Sequence, residues 1–219
     1  MSGSARLPLP PGIPATGTHV EQEMILAIDS ATDTHQRKEA LWQLILFYHE
    51  QAKRNDLATA LLRLMITEFD DPENTAISYY VLGRIAEAEE KWHVALERYE
   101  KGLLQLPKQP HTAYFLRNSA GYCLNKLGRY AEGERYCRWA VEIRSDHPDA
   151  FKDLGISLYA QGDFKGAIWC WVEALKIDPT YAQARRLLDE VFLKHPTLKE
   201  QFTWIEHELH QKNRGLKLN

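Results

Sequence analysis

The chain has 219 residues, with 27 basic against 30 acidic side chains, a formal net charge of −3 and 44% hydrophobic content. That near-balance supplies no basic field of the kind nucleic-acid binding requires, and no stretch reaches the roughly 18 apolar residues of a membrane span. Three cysteines, Cys123, Cys137 and Cys170, are an odd number without CxxC spacing, so each reads as a small buried hydrophobe rather than part of a disulfide or redox pair.

Residues 1–17, MSGSARLPLPPGIPATG, are rich in proline, glycine and small polar residues and have no periodic apolar face. They are expected to be disordered, with the LPLPPGIP run as an alternative polyproline ligand for an aromatic groove. Pro8, Pro10, Pro11 and Pro14 interrupt any apolar core of a secretory signal, so a soluble, cytoplasmic protein is expected.

Residues 18–40 hold an N-terminal helix and the entry to a helical array. Thr18 with Glu21 forms a capping box for a helix to about Asp29, and Thr34 is placed to cap a longer helix to about Arg54 with Leu41, Leu44, Ile45 and Tyr48 on one side. Asn55 or Asp56 restarts a helix ending near Phe69. The array itself divides into four helix pairs, at about 41–74, 76–109, 114–147 and 148–181. Residues 182–219 then hold a capping helix from about Tyr181 to Lys194, with Ala184, Leu187, Leu188 and Val191 facing back. Pro196 breaks the chain before a terminal helix from about Leu198 to Gln211 that shows Phe202, Ile205 and Leu209.

The last pair is the clearest. Phe151, Leu154, Gly155 and Leu158 lie on one helical face, Gly162 supplies a left-handed residue for the turn, Asp163 caps the second helix, and Ala167, Trp171 and Ala174 face the first. Gly155 and Ala167 are small where two backbones approach, Trp171 is large where volume must be filled, and Pro179 closes the unit. Thirty-four residues upstream of Gly155 stands Gly121, followed in register by Leu124, Gly128, Tyr130, Gly133 and Ala140, although Arg117 and Cys137 replace a bulky apolar and an aromatic residue. Tyr79, Leu82, Gly83, Ala95, Tyr99, Gly102 and Pro107 repeat the set, but 38 residues separate Gly83 from Gly121, which predicts a longer loop around Lys108 to Ala113. Leu44, Phe47, Leu57, Ala60, Leu64 and Pro72 make a degenerate copy with Tyr48 in place of the small residue.

This pattern resembles the tetratricopeptide repeat, a helix-turn-helix unit of 34 residues. The resemblance implies an all-α fold, a right-handed α-solenoid whose first helices line a concave groove that in this family commonly holds an extended peptide or a partner helix. Carried onto this sequence, the groove positions are Trp42, Ile45 and His49, then Tyr80 and Arg84, then Phe115, Asn118, Tyr122 and Asn125, then Lys152, Ile156 and Tyr159. Trp42, Tyr80, Phe115, Tyr122 and Tyr159 are expected to be spared from helix packing, and Asn118 and Asn125 to pair with a bound backbone; the alternative is that the aromatics fill gaps between neighbouring first helices. The family's carboxylate clamp is absent: its positions hold Tyr80, Arg84, Ser119, Asp149 and Asp153, and two carboxylates stand where a ligand's carboxylates would go.

No nucleophile elbow, Walker loop or dinucleotide fingerprint is present, and His207, Glu208 and His210 read HELH, one residue short of a helical zinc site. The expectation is a non-catalytic chain without cofactor or metal, binding another protein or a peptide segment. Two alternatives are a chaperone or assembly factor for a secreted or pilus-type subunit, and an oligomerising module that uses its terminal helices.

Overall fold

The computed structural model describes residues 6–13, 17–205 and 209. Among the described residues the chain is helical, without a strand. The elements are α1 (His19–Ser30), α2 (Thr34–Leu46) continued by a π-helical turn (Phe47–Gln51), α3 (Asn55–Glu68), α4 (Pro72–Ala88), α5 (Trp92–Leu103) and α6 (Pro110–Lys126). They are followed by α7 (Tyr130–Ile143), α8 (Pro148–Ala160), α9 (Phe164–Ile177), α10 (Ala182–Lys194) and α11 (Pro196–Gln201).

Each helix packs on its neighbours in sequence, while α4 also touches α6 and α6 touches α8. Consecutive helix pairs therefore stack as an α-solenoid, and the buried side chains fall into successive clusters along the stack rather than one centre.

The start signals act as the sequence indicates. Thr18 and Glu21 form the capping box of α1, and proline occupies the first turn of α4, α6, α8 and α11, where a missing N–H costs no hydrogen bond. Asp163 accepts from Gly166 N at 2.9 Å and caps α9. Asp33, not Thr34, caps α2, accepting from Gln36 N at 2.8 Å, because its short carboxylate sits one residue ahead of the first helical turn. The residues expected as an inserted loop divide differently: Pro110 starts α6, so 110–113 form an additional N-terminal turn of that helix and only the stretch before Pro110 is loop.

Packing within the last three pairs rests on a glycine facing one side chain sixteen positions later, large in two of them. Gly83 faces Tyr99, Gly121 faces Cys137 and Gly155 faces Trp171, with all three partners buried. A Cβ at Gly155 would meet Trp171 Cδ1 at 2.7 Å, so a larger residue would separate the helices. In the first pair Tyr48 takes the glycine's place. It is buried, donates its hydroxyl to the Glu21 carboxylate, and coincides with the π turn that ends the helix.

The ends are covered. Ala184, Leu188 and Val191 of α10 close the last cluster, and Ile205 and Leu209 are buried in it with Phe202 packed alongside. The apolar stripe of the terminal segment is thus spent on the array itself. At the other end, residues 6–13, expected to be disordered, lie against the first pair: Leu9 and Ile13 pack on its cluster and Leu7 O accepts from Arg37 Nη2 at 2.6 Å. They carry no periodic face because an extended segment does not need one. His207 and His210 lie outside the described residues, and among the described residues no group of His, Cys, Asp and Glu is arranged to hold a metal ion.

Candidate functional site

The face shared by the first helices is built around two aromatic groups. Tyr80 of α4 and Phe115 of α6 stack with ring centroids 5.6 Å apart, and Phe115 in turn meets Tyr114 at 5.1 Å and His111 edge-on at 4.4 Å. Burial raises the Tyr80 hydroxyl pKa, against the pull of Arg84 beside it. Two turns further along α6, Tyr122 packs edge-on against Trp92 of α5 at 5.9 Å.

Cations surround that second group. The Lys126 and Lys152 ammonium groups each stand 5.4 Å from the Tyr122 ring, and Lys126 also lies 5.5 Å from Trp92. Desolvation of the ammonium is offset for Lys152 by Asp153, whose carboxylate it meets at 2.8 Å. Lys126 remains exposed, so its charge is available to a carboxylate arriving from outside. Between the aromatic groups, Asn118 Oδ1 is buried and receives no hydrogen bond.

The expected groove residues do not all come together. Tyr80, Phe115, Asn118, Tyr122 and Lys152 come together between α4, α6 and α8. Trp42 packs on the cluster of the first pair, its indole N–H donating to Asn74 Oδ1 at 2.8 Å, and Arg84 is exposed on α4. His49 is tied to Asn55 through its Nδ1 at 2.9 Å, at the turn between α2 and α3. Ile156 and Tyr159 lie further along α8, where Tyr159 packs on Phe164 at 5.2 Å and Trp171 at 6.0 Å.

Two expected groove residues are not on this face. Ile45 is 0% exposed, inside the cluster of the first pair, where α1 packs along α2 and contributes Ile28 to the same cluster. Asn125 is buried and fully engaged, donating to the Asp153 backbone carbonyl at 2.9 Å and accepting from Ser157 Oγ at 2.7 Å. The aromatics are also not spared from packing: Trp42, Tyr80 and Phe115 each bridge to the next first helix or pair, and present only part of their surface outward. Trp92 was not among the expected groove residues; the aromatic at the start of α5 was the available signal.

No buried nucleophile is activated. The thiols of Cys123 and Cys170 are pushed up to about 12 by burial, and Cys137 rises well above its ordinary value for the same reason.

Comparison with known proteins agrees with this architecture. No protein-family model matches the chain. Over 99 residues it is 30% identical to human tetratricopeptide repeat protein 7A and 31% to human tetratricopeptide repeat protein 7B, which is 45% of this chain and 11% of either relative. Among solved structures, MamA 41-end from Desulfovibrio magneticus RS-1 superposes with a TM-score of 0.62 at 18% identity, covering 83% of this chain and 98% of that one. Another MamA crystal structure gives 0.57 at 14% identity, over 86% and 99%. The fold is an α-solenoid of stacked tetratricopeptide-type helix pairs. The glycine of each of the last three pairs, set against Tyr99, Cys137 or Trp171, is the physical content of that likeness, and the chain spans about a tenth of the curated relatives it matches. Among the described residues, no helix of this tetratricopeptide array is long and apolar enough to cross a membrane.

Proposed function

We propose that the chain is a non-catalytic interaction scaffold that holds an extended segment of another protein across α4, α6 and α8. The observation that carries this reading is the Tyr122 platform, where two ammonium groups and the Trp92 ring surround one half-buried phenol. A bound segment would lay apolar side chains on Tyr80 and Phe115 and place an acidic group near Lys126. A client that is stable only while bound would make the same groove that of a chaperone or assembly factor.

The test compares capture of partners from a native extract by the wild-type chain and by a Tyr122→Ala, Lys126→Glu variant. Both positions retain solvent contact, so helical circular dichroism should survive. A partner held by the wild type and lost by the variant supports the groove; equal capture by both moves the contact elsewhere.

A further inference from the structure

We infer that the outer face of the first helix pair is a second, separable peptide site, for an extended proline-rich segment, and that residues 6–13 of this chain are its resident occupant. This goes beyond the groove on α4, α6 and α8, which it does not share. The segment makes specific contacts. Leu7 O accepts from Arg37 Nη2 at 2.6 Å, Arg6 donates to the Ala31 carbonyl at the end of α1, and Leu9 and Ile13, four residues apart, pack on the cluster of Ile28, Leu41 and Leu57.

The receiving surface is built before the segment arrives. Arg37 is buried and held by Glu68 through Nε at 2.5 Å and Nη2 at 3.2 Å, so the guanidinium is fixed by α3 while it offers a donor to an incoming carbonyl. With the segment in place Arg37 is buried and its Nη2 meets both Glu68 and the Leu7 carbonyl, so the docked segment satisfies a donor that it also covers.

The occupant is pre-shaped as well. Pro8, Pro10 and Pro11 restrict the backbone and remove donors that an apolar surface would leave unpaired. Pro11 and Gly12 are the central residues of a turn closed by Ile13 N donating to Pro10 O at 3.4 Å, with Gly12 at φ +95°, the left-handed conformation such a turn requires. A ligand ordered in advance loses little entropy on docking, and the tether to α1 holds it at an effective concentration on the order of millimolar. The site is accordingly filled in cis and closed to outside peptides until the tail is displaced.

The experiment uses the full chain and a fluorescein-labelled peptide spanning residues 6–13. The tail of the protein is displaced by Leu9→Asp with Ile13→Asp, and peptide binding is followed by fluorescence anisotropy. The peptide should bind this variant saturably and at least tenfold more tightly than it binds the wild type, and a peptide carrying the same two substitutions should not bind. Equal affinity for both proteins, or no binding to the variant, overturns the inference. A second measurement needs no variant: trypsin should cleave after Arg6 at least tenfold more slowly in the intact wild type than in the free peptide, and equal rates overturn the docked state.

Discussion

Asn125 on α6 donates its amide to the backbone carbonyl of Asp153 on α8 at 2.9 Å, so a polar side chain on the first-helix face is consumed in joining two repeats. Its oxygen accepts from Ser157 Oγ at 2.7 Å, and the side chain is buried, away from a ligand backbone. Asn125→Ala should destabilise the fold by about 1–3 kcal/mol, because the Asp153 carbonyl and Ser157 hydroxyl stay buried. Urea unfolding measures this, and partner capture should be unchanged wherever the variant is folded. Loss of capture with unchanged stability would return Asn125 to the groove.

Gly155→Ala tests the contact on which the last pair depends. The added Cβ would lie 2.7 Å from Trp171 Cδ1 and 2.8 Å from Cε2, and the indole is 1% exposed with its N–H donating to Lys152 O at 3.2 Å. The ring has nowhere to move without breaking that bond. A loss of about 1–3 kcal/mol is expected, the usual cost of overpacking, read as a lowered thermal midpoint. Gly128→Ala is the comparison: nothing lies within 4 Å of its Cβ, and its cost comes from the left-handed backbone at φ +74° alone.

How legible this was depended on whether a residue's partner lies in its own repeat. Gly155 and Trp171, Gly162 and Asp163 belong to one local unit, and their spacing carries the geometry. Asn125 was misread because its partners, Asp153 and Ser157, are a repeat away and nothing local distinguishes an engaged amide from a free one. Ile45 was misplaced because α1, which packs along α2 and shares its cluster, belongs to no repeat and leaves no trace in the 34-residue pattern. Residues 110–113 read as loop because the extra turn of α6 precedes the periodic apolar positions.

The inter-helix turns of the first two pairs carry a removable cost. Lys53 and Glu90 stand at φ +54° and +56°, the region Gly128 and Gly162 occupy in the later pairs. Side chains with a Cβ cost roughly 1–2 kcal/mol there, partly offset by the larger freedom of glycine in the unfolded chain. Glu90→Gly should therefore raise stability by about 0.5–1 kcal/mol, seen as a higher urea midpoint with an unchanged slope. A lowered midpoint would show that unfolded-state entropy outweighs the strain.

Burial pushes the Asp153 carboxyl up to about 6 from its usual 3.8, while the Lys152 ammonium beside it pulls the other way. An acid with its folded pKa above its unfolded one binds a proton more readily in the folded chain, so stability falls as pH rises from about 4 to about 6 and stays lower above that window. Asp153→Asn removes this contribution while leaving the other carboxylates common to both proteins. The thermal midpoint of the variant minus that of the wild type should therefore become more positive between about pH 4 and pH 6.5. The loss of the Lys152 counter-ion adds an offset that is nearly constant there, because that ammonium titrates above its ordinary 10.5, far outside the window. A difference that becomes more negative with rising pH would mean that the ion pair outweighs burial and holds the Asp153 carboxyl below 3.8.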